Sequence, residues 1–227
     1  MSAIDFHSEI ASEFSEKYNY SEDFMERYKV WVRFLDKYLV SSDIVLDAGC
    51  GSGIFSFYAA QKAKRILGID GSKEMIDICF EKLKKTGMSN MLFQIRKIPM
   101  ELPDNQYFNT ILSSSVLEYL PNFNEVCSRL ADVMFQGGTL IFSLPNSSSF
   151  YRKIEKLTYI LFKRPKYLKF VHNSLDREKV IKELQLIGFQ FIESEYFANT
   201  YLFSGIVRFI FGKEYSCNMV IYVFKKL

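Results

Sequence analysis

The chain has 227 residues, 48% hydrophobic and 24% charged, with a formal net charge of +3. That length supports one sizeable core with elaborations, 1–227 as a single domain, and the composition lies far from the charge-rich, apolar-poor make-up of a disordered chain. So small a positive surplus implies no nucleic-acid partner, and Cys50, Cys79, Cys127 and Cys217 are scattered without a CxxC pair, so neither a zinc site nor a disulfide framework is expected.

Asp5, His7 and Glu9 stand where an export signal needs a basic start and an apolar run, so a cytoplasmic location is expected. In 21–39, Phe24, Tyr28, Trp31, Val32, Leu35 and Leu39 recur at helical spacing behind the acidic Glu22 and Asp23, which predicts an amphipathic helix whose solvent face is the plainer place for Arg27 and Lys29. A short apolar run at 44–46 enters a glycine-rich turn and a helix over 54–63. A second unit follows, with a strand at 66–69, Ser72 as N-cap, a helix presenting Met75, Ile76, Cys79, Phe80 and Leu83, and Gly87 as its stop. Further strands are predicted at 92–95, 110–112 and 139–144, with a helix from about Asn122 to just before Gly137 and Gly138. The 148–169 stretch mixes seven Lys and Arg with Phe150, Tyr151, Tyr159, Phe162 and Tyr167 and breaks this rhythm. Order resumes with a helix over 176–187 and strands at 189–196 and 219–224, separated by a second apolar insert at 201–213. That insert is well short of the roughly 20 apolar residues of a spanning helix. Strands alternating with helices give an α/β fold, doubly wound, with a mainly parallel sheet of about seven strands and helices on both faces. Within it, 1–42 is expected to form a helical cap, 43–145 the core, and 146–175 and 197–215 inserted cap segments.

The turn Asp47-Ala48-Gly49-Cys50-Gly51-Ser52-Gly53 carries the functional argument. A strand running into closely spaced glycines and then a helix lets backbone approach a ligand and directs free N–H groups at it. Asp70 ends the next strand about 20 residues on, where an acid of a dinucleotide-type fold takes ribose hydroxyls. The spacing supports a nucleoside ligand. Because the third glycine is displaced from Gly-x-Gly-x-x-Gly, both a nicotinamide and a sulfonium nucleoside stay open at this point.

The run Val45 to Gly53, Gly68-Ile69-Asp70-Gly71-Ser72 with Met75, Leu102-Pro103, Val116 to Leu120, and Gly137-Gly138-Thr139-Leu140 resembles the cofactor-binding half of class I methyltransferases, over about 43–145. It is similar to their quinone-biosynthesis and small-molecule group. The resemblance implies S-adenosylmethionine as cofactor and S-adenosylhomocysteine as product. It implies Gly49, Cys50 and Gly51 beside the methionine part, Asp47 supporting its amino group, and Asp70 on the ribose. Gly71, Met75, Pro99 and Met100 fall near the adenine, the backbone around Ser113 and Ser114 below the sulfonium, and Tyr18 in a leading segment folded over the cofactor, where Arg27 or Lys29 as a cation meets the methionine carboxylate in the alternative to a solvent face. Two positions depart from the family pattern: Ile98-Pro99 replaces an adenine-binding aspartate, so adenine recognition is expected to rest on packing or other backbone, and Asn109 replaces an aspartate before the fourth strand.

For the methyl acceptor, the basic and aromatic inserts suggest a small hydrophobic or aromatic molecule methylated on oxygen in preference to nitrogen or carbon. Peripheral contact with an anionic membrane stays open as a second role for the same residues. His172 and Tyr119 are the candidate catalytic side chains, with Glu118 beside them; a loop histidine and a solvated helix acid are the plainer readings of His172 and Glu118. No metal is expected. The alternatives are a catalytically silent methyltransferase-like partner subunit, prompted by Ile98, Pro99 and Asn109, and a methyltransferase of RNA or protein.

Overall fold

The structure, a computed structural model, describes residues 2–103, 106–199 and 204–227. Three helices lead: α1 (Ala3–Glu9), α2 (Ala11–Tyr20) and α3 (Glu22–Tyr38). Ser2 and Asp5 start α1 through a reciprocal capping box, in which the Ser2 hydroxyl accepts from the Asp5 N–H and the Asp5 carboxylate from the Ser2 N–H. Only α3 buries a full apolar stripe, and Trp31, within it, stacks on Phe55 with ring centroids 4.9 Å apart.

Seven strands follow: β1 (Ile44–Ala48), β2 (Arg65–Asp70), β3 (Met91–Ile95), β4 (Phe108–Ser114), β5 (Met134–Pro145), β6 (Phe189–Phe197) and β7 (Met219–Lys226). They form one sheet in the order β3-β2-β1-β4-β5-β7-β6, parallel except that β7 runs antiparallel to β5 and β6. The doubly wound, mainly parallel expectation is therefore observed. Val45, Leu46, Ile66, Ile69, Ile111 and Leu112 are buried because helices cover both faces of the sheet. The covering helices are α4 (Ile54–Ala59), α5 (Lys73–Thr86), α6 (Phe123–Asp132) and α8 (Arg177–Leu186), with α3 over the β1 side. Ser72 caps α5 by accepting from the Met75 N–H, and Gly87 ends it in the left-handed conformation, both as expected.

Local differences have local causes. The helix expected over 54–63 stops at Ala59. The helix from Asn122 ends at Asp132, and Gly137 and Gly138 lie inside β5, where the register against β4 shifts. Gly137 has φ +72, and a Cβ on Gly138 would meet the Phe135 carbonyl at 2.8 Å, so this glycine pair serves a bent strand. The first insert forms α7 (Phe150–Phe162) and a 3-10 turn (Lys166–Phe170). The second forms α9 (Ser204–Phe211) and α10 (Lys213–Ser216), with 200–203 of its sequence outside the described residues. Asn109 accepts from the Ile44 N–H at 2.9 Å through Oδ1, tying the start of β1 to β4. An amide does here what needs only an acceptor, so this departure leaves the fold intact.

Successive crossovers leave β1 toward β2 on one side and toward β4 on the other. The strand order thus reverses at β1, opening a crevice at the carboxyl ends of β1 and β4, where open α/β sheets bind ligands.

Candidate active site

A cavity of about 610 Å³ fills this crevice. Its floor is the β1–α4 turn. Gly49, Gly51 and Gly53 all have positive φ, and a Cβ on Gly49 would lie 2.3 Å from Val116 Cγ2, so that position admits glycine alone without displacement. Asp70, at the end of β2, accepts from the Gly51 N–H at 2.9 Å on Oδ2 and from the Ser72 N–H at 2.8 Å on Oδ1. One carboxylate therefore sets both the glycine turn and the entry to α5, and each oxygen keeps a lone pair for a ligand hydroxyl. Burial raises its proton affinity, opposed by those N–H groups and that of Gly71.

Asp47 is fully buried at the end of β1. Its Oδ2 accepts from the Ser56 hydroxyl at 2.5 Å, while Oδ1 has no partner. Burial pushes its carboxyl up to about 7, with Ser56 opposing and the Asp70 charge adding to the rise. Across the cavity, the Arg27 Nη2 donates to Ser114 O at 3.0 Å and to its Oγ at 2.7 Å, and Arg27 Nε is buried without a partner. Of the two expectations for the cations of α3, the solvent face is thus corrected for Arg27, which lines the cavity, and holds for the exposed Lys29. The helix turns Arg27 toward β4 on the same side as Tyr18, which also lines the cavity and whose hydroxyl holds its proton more tightly because of burial.

Gly71, Met75, Pro99 and Met100 line one wall, joined by Ile98 and by Ile4 of α1, whose side chain would meet a Cβ on Gly71 at 2.6 Å. The Ser8 hydroxyl donates to Ser72 at 2.8 Å, so α1 is held over this wall. Cys50 lines the floor, and burial raises its thiol well above the usual range. Ser114 and Ser115 lie below, with the buried Ser115 Oγ also unpartnered. Ser113 is not among the lining residues; its side chain is on the opposite face of β4, donating to Ala48 O at 3.0 Å, because alternate strand residues face opposite ways.

Phe14, Tyr119, Leu120, Lys169 and Phe170 enclose the outer half. His172 lines the mouth, exposed, with its backbone N–H donating to Glu118 O at 2.8 Å. Tyr119 is half-buried in the wall, and loss of solvent around its hydroxyl, with the neighbouring Glu118 charge, pushes that hydroxyl far above the ordinary phenol range, so it keeps its proton. Glu118 is neither solvated nor at the cavity. It is 2% exposed, its Oε2 has no partner, and burial pushes its carboxyl up to about 7. Sequence reading missed His7. It lines the cavity, packs edge-on to Tyr119 at 5.0 Å, and loses proton affinity through burial and the Arg27 charge. Its position rests on where a short leading helix lands, which no nearby motif signals. Among the described residues no cluster of His, Cys, Asp and Glu is arranged to hold a metal.

A family model described as a methyltransferase domain matches residues 39–190. An uncharacterised Haemophilus influenzae protein is 34% identical over 104 residues, 44% of this chain and 41% of that protein. A Coxiella burnetii protein named ubiquinone biosynthesis O-methyltransferase is 29% identical over 136 residues, 57% of this chain and 58% of that protein. The match thus spans about half the length of these curated relatives. Among solved structures, magnesium protoporphyrin IX methyltransferase from Synechocystis PCC 6803, with bound S-adenosylhomocysteine, superposes with a TM-score of 0.73 at 18% identity, covering 99% of this chain and 97% of that one. The N-methyltransferase NodS from Bradyrhizobium japonicum WM9 superposes with a TM-score of 0.67 at 17% identity, covering 92% and 90%. At those identities the shared property is the fold.

Proposed function

The chain belongs to the class I, S-adenosylmethionine-dependent methyltransferase family, and from that premise we propose that it methylates the oxygen of a small hydrophobic or aromatic acceptor, leaving S-adenosylhomocysteine. One observation carries the cofactor half of this reading. Three buried side-chain atoms without a partner, Asp47 Oδ1, Arg27 Nε and Ser115 Oγ, belong to residues of one cavity. Buried polar atoms are left unpaired at a cost of about 1–3 kcal/mol each, so their convergence points to a polar ligand that completes them. An acceptor carboxylate and a donor guanidinium suit the ammonium and carboxylate of an amino acid, and Asp70 suits a ribose diol. Met75, Pro99, Met100 and Ile98 form an apolar slot suited to an adenine face, so recognition there rests on packing.

The sulfonium supplies an activated methyl group, whose transfer needs a nucleophile held in line with it. The chain's task is therefore to orient the acceptor and exclude water. Phe14, Tyr119, Leu120 and Phe170 provide apolar walls for that, and the name of the Coxiella relative supports a phenolic, quinone-like molecule there. Where the acceptor hydroxyl must lose a proton, His7, held neutral by its burial and Arg27, and His172 at the mouth are the bases facing the cavity. Tyr119, keeping its proton, acts as a hydrogen-bond donor that orients the acceptor.

Isothermal titration with S-adenosylmethionine and S-adenosylhomocysteine tests this. Micromolar binding is expected for the wild type, lost on Asp70→Ala. Absence of binding by the intact chain would refute the cofactor assignment and favour a silent partner subunit.

A further inference from the structure

The helix α7 is turned inside out relative to an ordinary surface helix. Its charged pair, Arg152 and Glu155, is largely buried against the body of the protein, with side chains 14% and 18% exposed and 2.7 Å apart. Arg152 also donates to Asn218 O at 3.2 Å, and Tyr167 donates to Glu155 at 2.9 Å. The opposite face presents Phe150, Ile154, Leu157 and Leu161 to solvent, each between 45% and 64% exposed. Their spacing of four, three and four residues aligns them in a single stripe along the helix. A surface helix normally buries such a stripe; here the polar face is satisfied by the protein and the apolar face is left without cover.

A second apolar surface lies beside it. α9 leaves Ile206, Phe209 and Ile210 exposed, Phe209 at 93%, and α10 touches both α9 and α7. The segment that carries α7 is itself strongly basic. Residues 148–169 hold seven basic side chains and a single acid, Glu155, which is already engaged by Arg152 and Tyr167. Lys153 borders the stripe on the helix itself and Lys156 lies one step further round, its ammonium donating to the Ser174 hydroxyl at 2.9 Å; both are exposed. Among the described residues no helix is long and apolar enough to cross a membrane.

We propose that α7 and α9 form a docking surface for an anionic lipid bilayer, with the Phe150–Leu161 stripe and Phe209 entering the boundary between headgroups and acyl chains and the surrounding lysines meeting anionic headgroups. The commitment to lipid over a protein partner rests on charge complementarity together with an apolar face rimmed by lysine, the side chain whose long stem lets its ammonium stay in the headgroup layer. The chain from α7 runs directly through the 3-10 turn to Lys169, Phe170 and His172, which line the cavity, so docking sets the cavity mouth beside the lipid surface. The docking itself stands whether or not the acceptor assignment does.

The test is co-sedimentation with phosphatidylcholine vesicles, with and without phosphatidylglycerol, at low and high salt, with circular dichroism confirming the fold of each variant. Binding is expected to the anionic vesicles and to weaken with salt. Each near-surface cation contributes roughly fivefold to the partition, so Lys153→Glu with Lys156→Glu is expected to lower it by roughly 25-fold or more. Leu157→Glu with Leu161→Glu is expected to abolish it. Failure of the wild type to sediment with anionic vesicles, equal binding to neutral ones, or full binding by the folded leucine variant would each overturn the proposal. So would a wild-type dimer in sedimentation velocity that the leucine variant dissolves without any vesicle binding, since the stripe would then be covered by a second copy. Because the readout is vesicle binding, it remains informative even if the cofactor titration fails.

Discussion

Replacing Gly49 by alanine tests the floor of the site. The residue sits at φ +78, where a Cβ costs about 1–2 kcal/mol. The new Cβ would also lie 2.3 Å from Val116 Cγ2, more than 1 Å inside ordinary contact, and 2.8 Å from Cγ1. Val116 is packed against the main core cluster on one side and lines the cavity on the other, so relief by local movement adds about 1–3 kcal/mol, as in overpacked cores. Gly49→Ala should therefore destabilise the chain by about 2–5 kcal/mol and move the turn that faces the cofactor. Removing the two offending methyl groups with Val116→Ala should recover the steric part and leave the backbone part, because φ is unchanged and Val116 Cβ itself stays 3.0 Å away. Urea unfolding of the four proteins in the cycle, with S-adenosylhomocysteine titration of each, measures this. A coupling of about 1–2 kcal/mol favouring the double variant is expected. Strict additivity, or a Gly49→Ala protein as stable and as tightly binding as wild type, would refute the geometry of the turn.

Asp47 links pH to both stability and binding. Its carboxyl stands at about 7 in the folded chain against 3.8 as the ordinary value, so as pH rises between these the unfolded chain gives up its proton first, and stability falls across that window before levelling off above about 7. A ligand ammonium beside it favours the carboxylate, so cofactor affinity should rise with pH through about 7, until the ammonium itself begins to lose its proton near pH 8. Asp47→Asn should be more stable than wild type at pH 8 without ligand, bind the cofactor more weakly and lose the rise; thermal melts and titrations at several pH values check this. Arg27→Ala removes a cationic donor positioned by Ser114 O and Oγ, whose charge-assisted bond to the ligand carboxylate is expected to be worth about 1.5–3 kcal/mol. Affinity for S-adenosylhomocysteine should fall by roughly ten- to a hundred-fold while the far-ultraviolet spectrum is unchanged, since the buried face of α3 at Trp31 and Leu35 is untouched. An unaltered affinity would remove Arg27 from the cofactor site.

The amino-acid sequence by itself determined the alternation of strand and helix, the glycine turn and the placement of Asp70, because these depend on period, capping and turn chemistry acting within a few residues. Ser72, Gly87 and the 44–53 strand and turn could be read directly for that reason. Only the tertiary structure decided which side chains converge on the cavity. Arg27 and His7 arrive there because the leading helices fold across the ends of β1 and β4, and Ser113 is excluded because the pleat of β4 turns it toward Ala48. Glu118 offered no local sign of burial, since its environment is built by segments distant in the chain. The orientation of α7 was likewise hidden: its pattern is amphipathic whichever face is outward, and what turns the apolar stripe to solvent is the set of partners, Asn218 and Tyr167, that hold its charged pair inside.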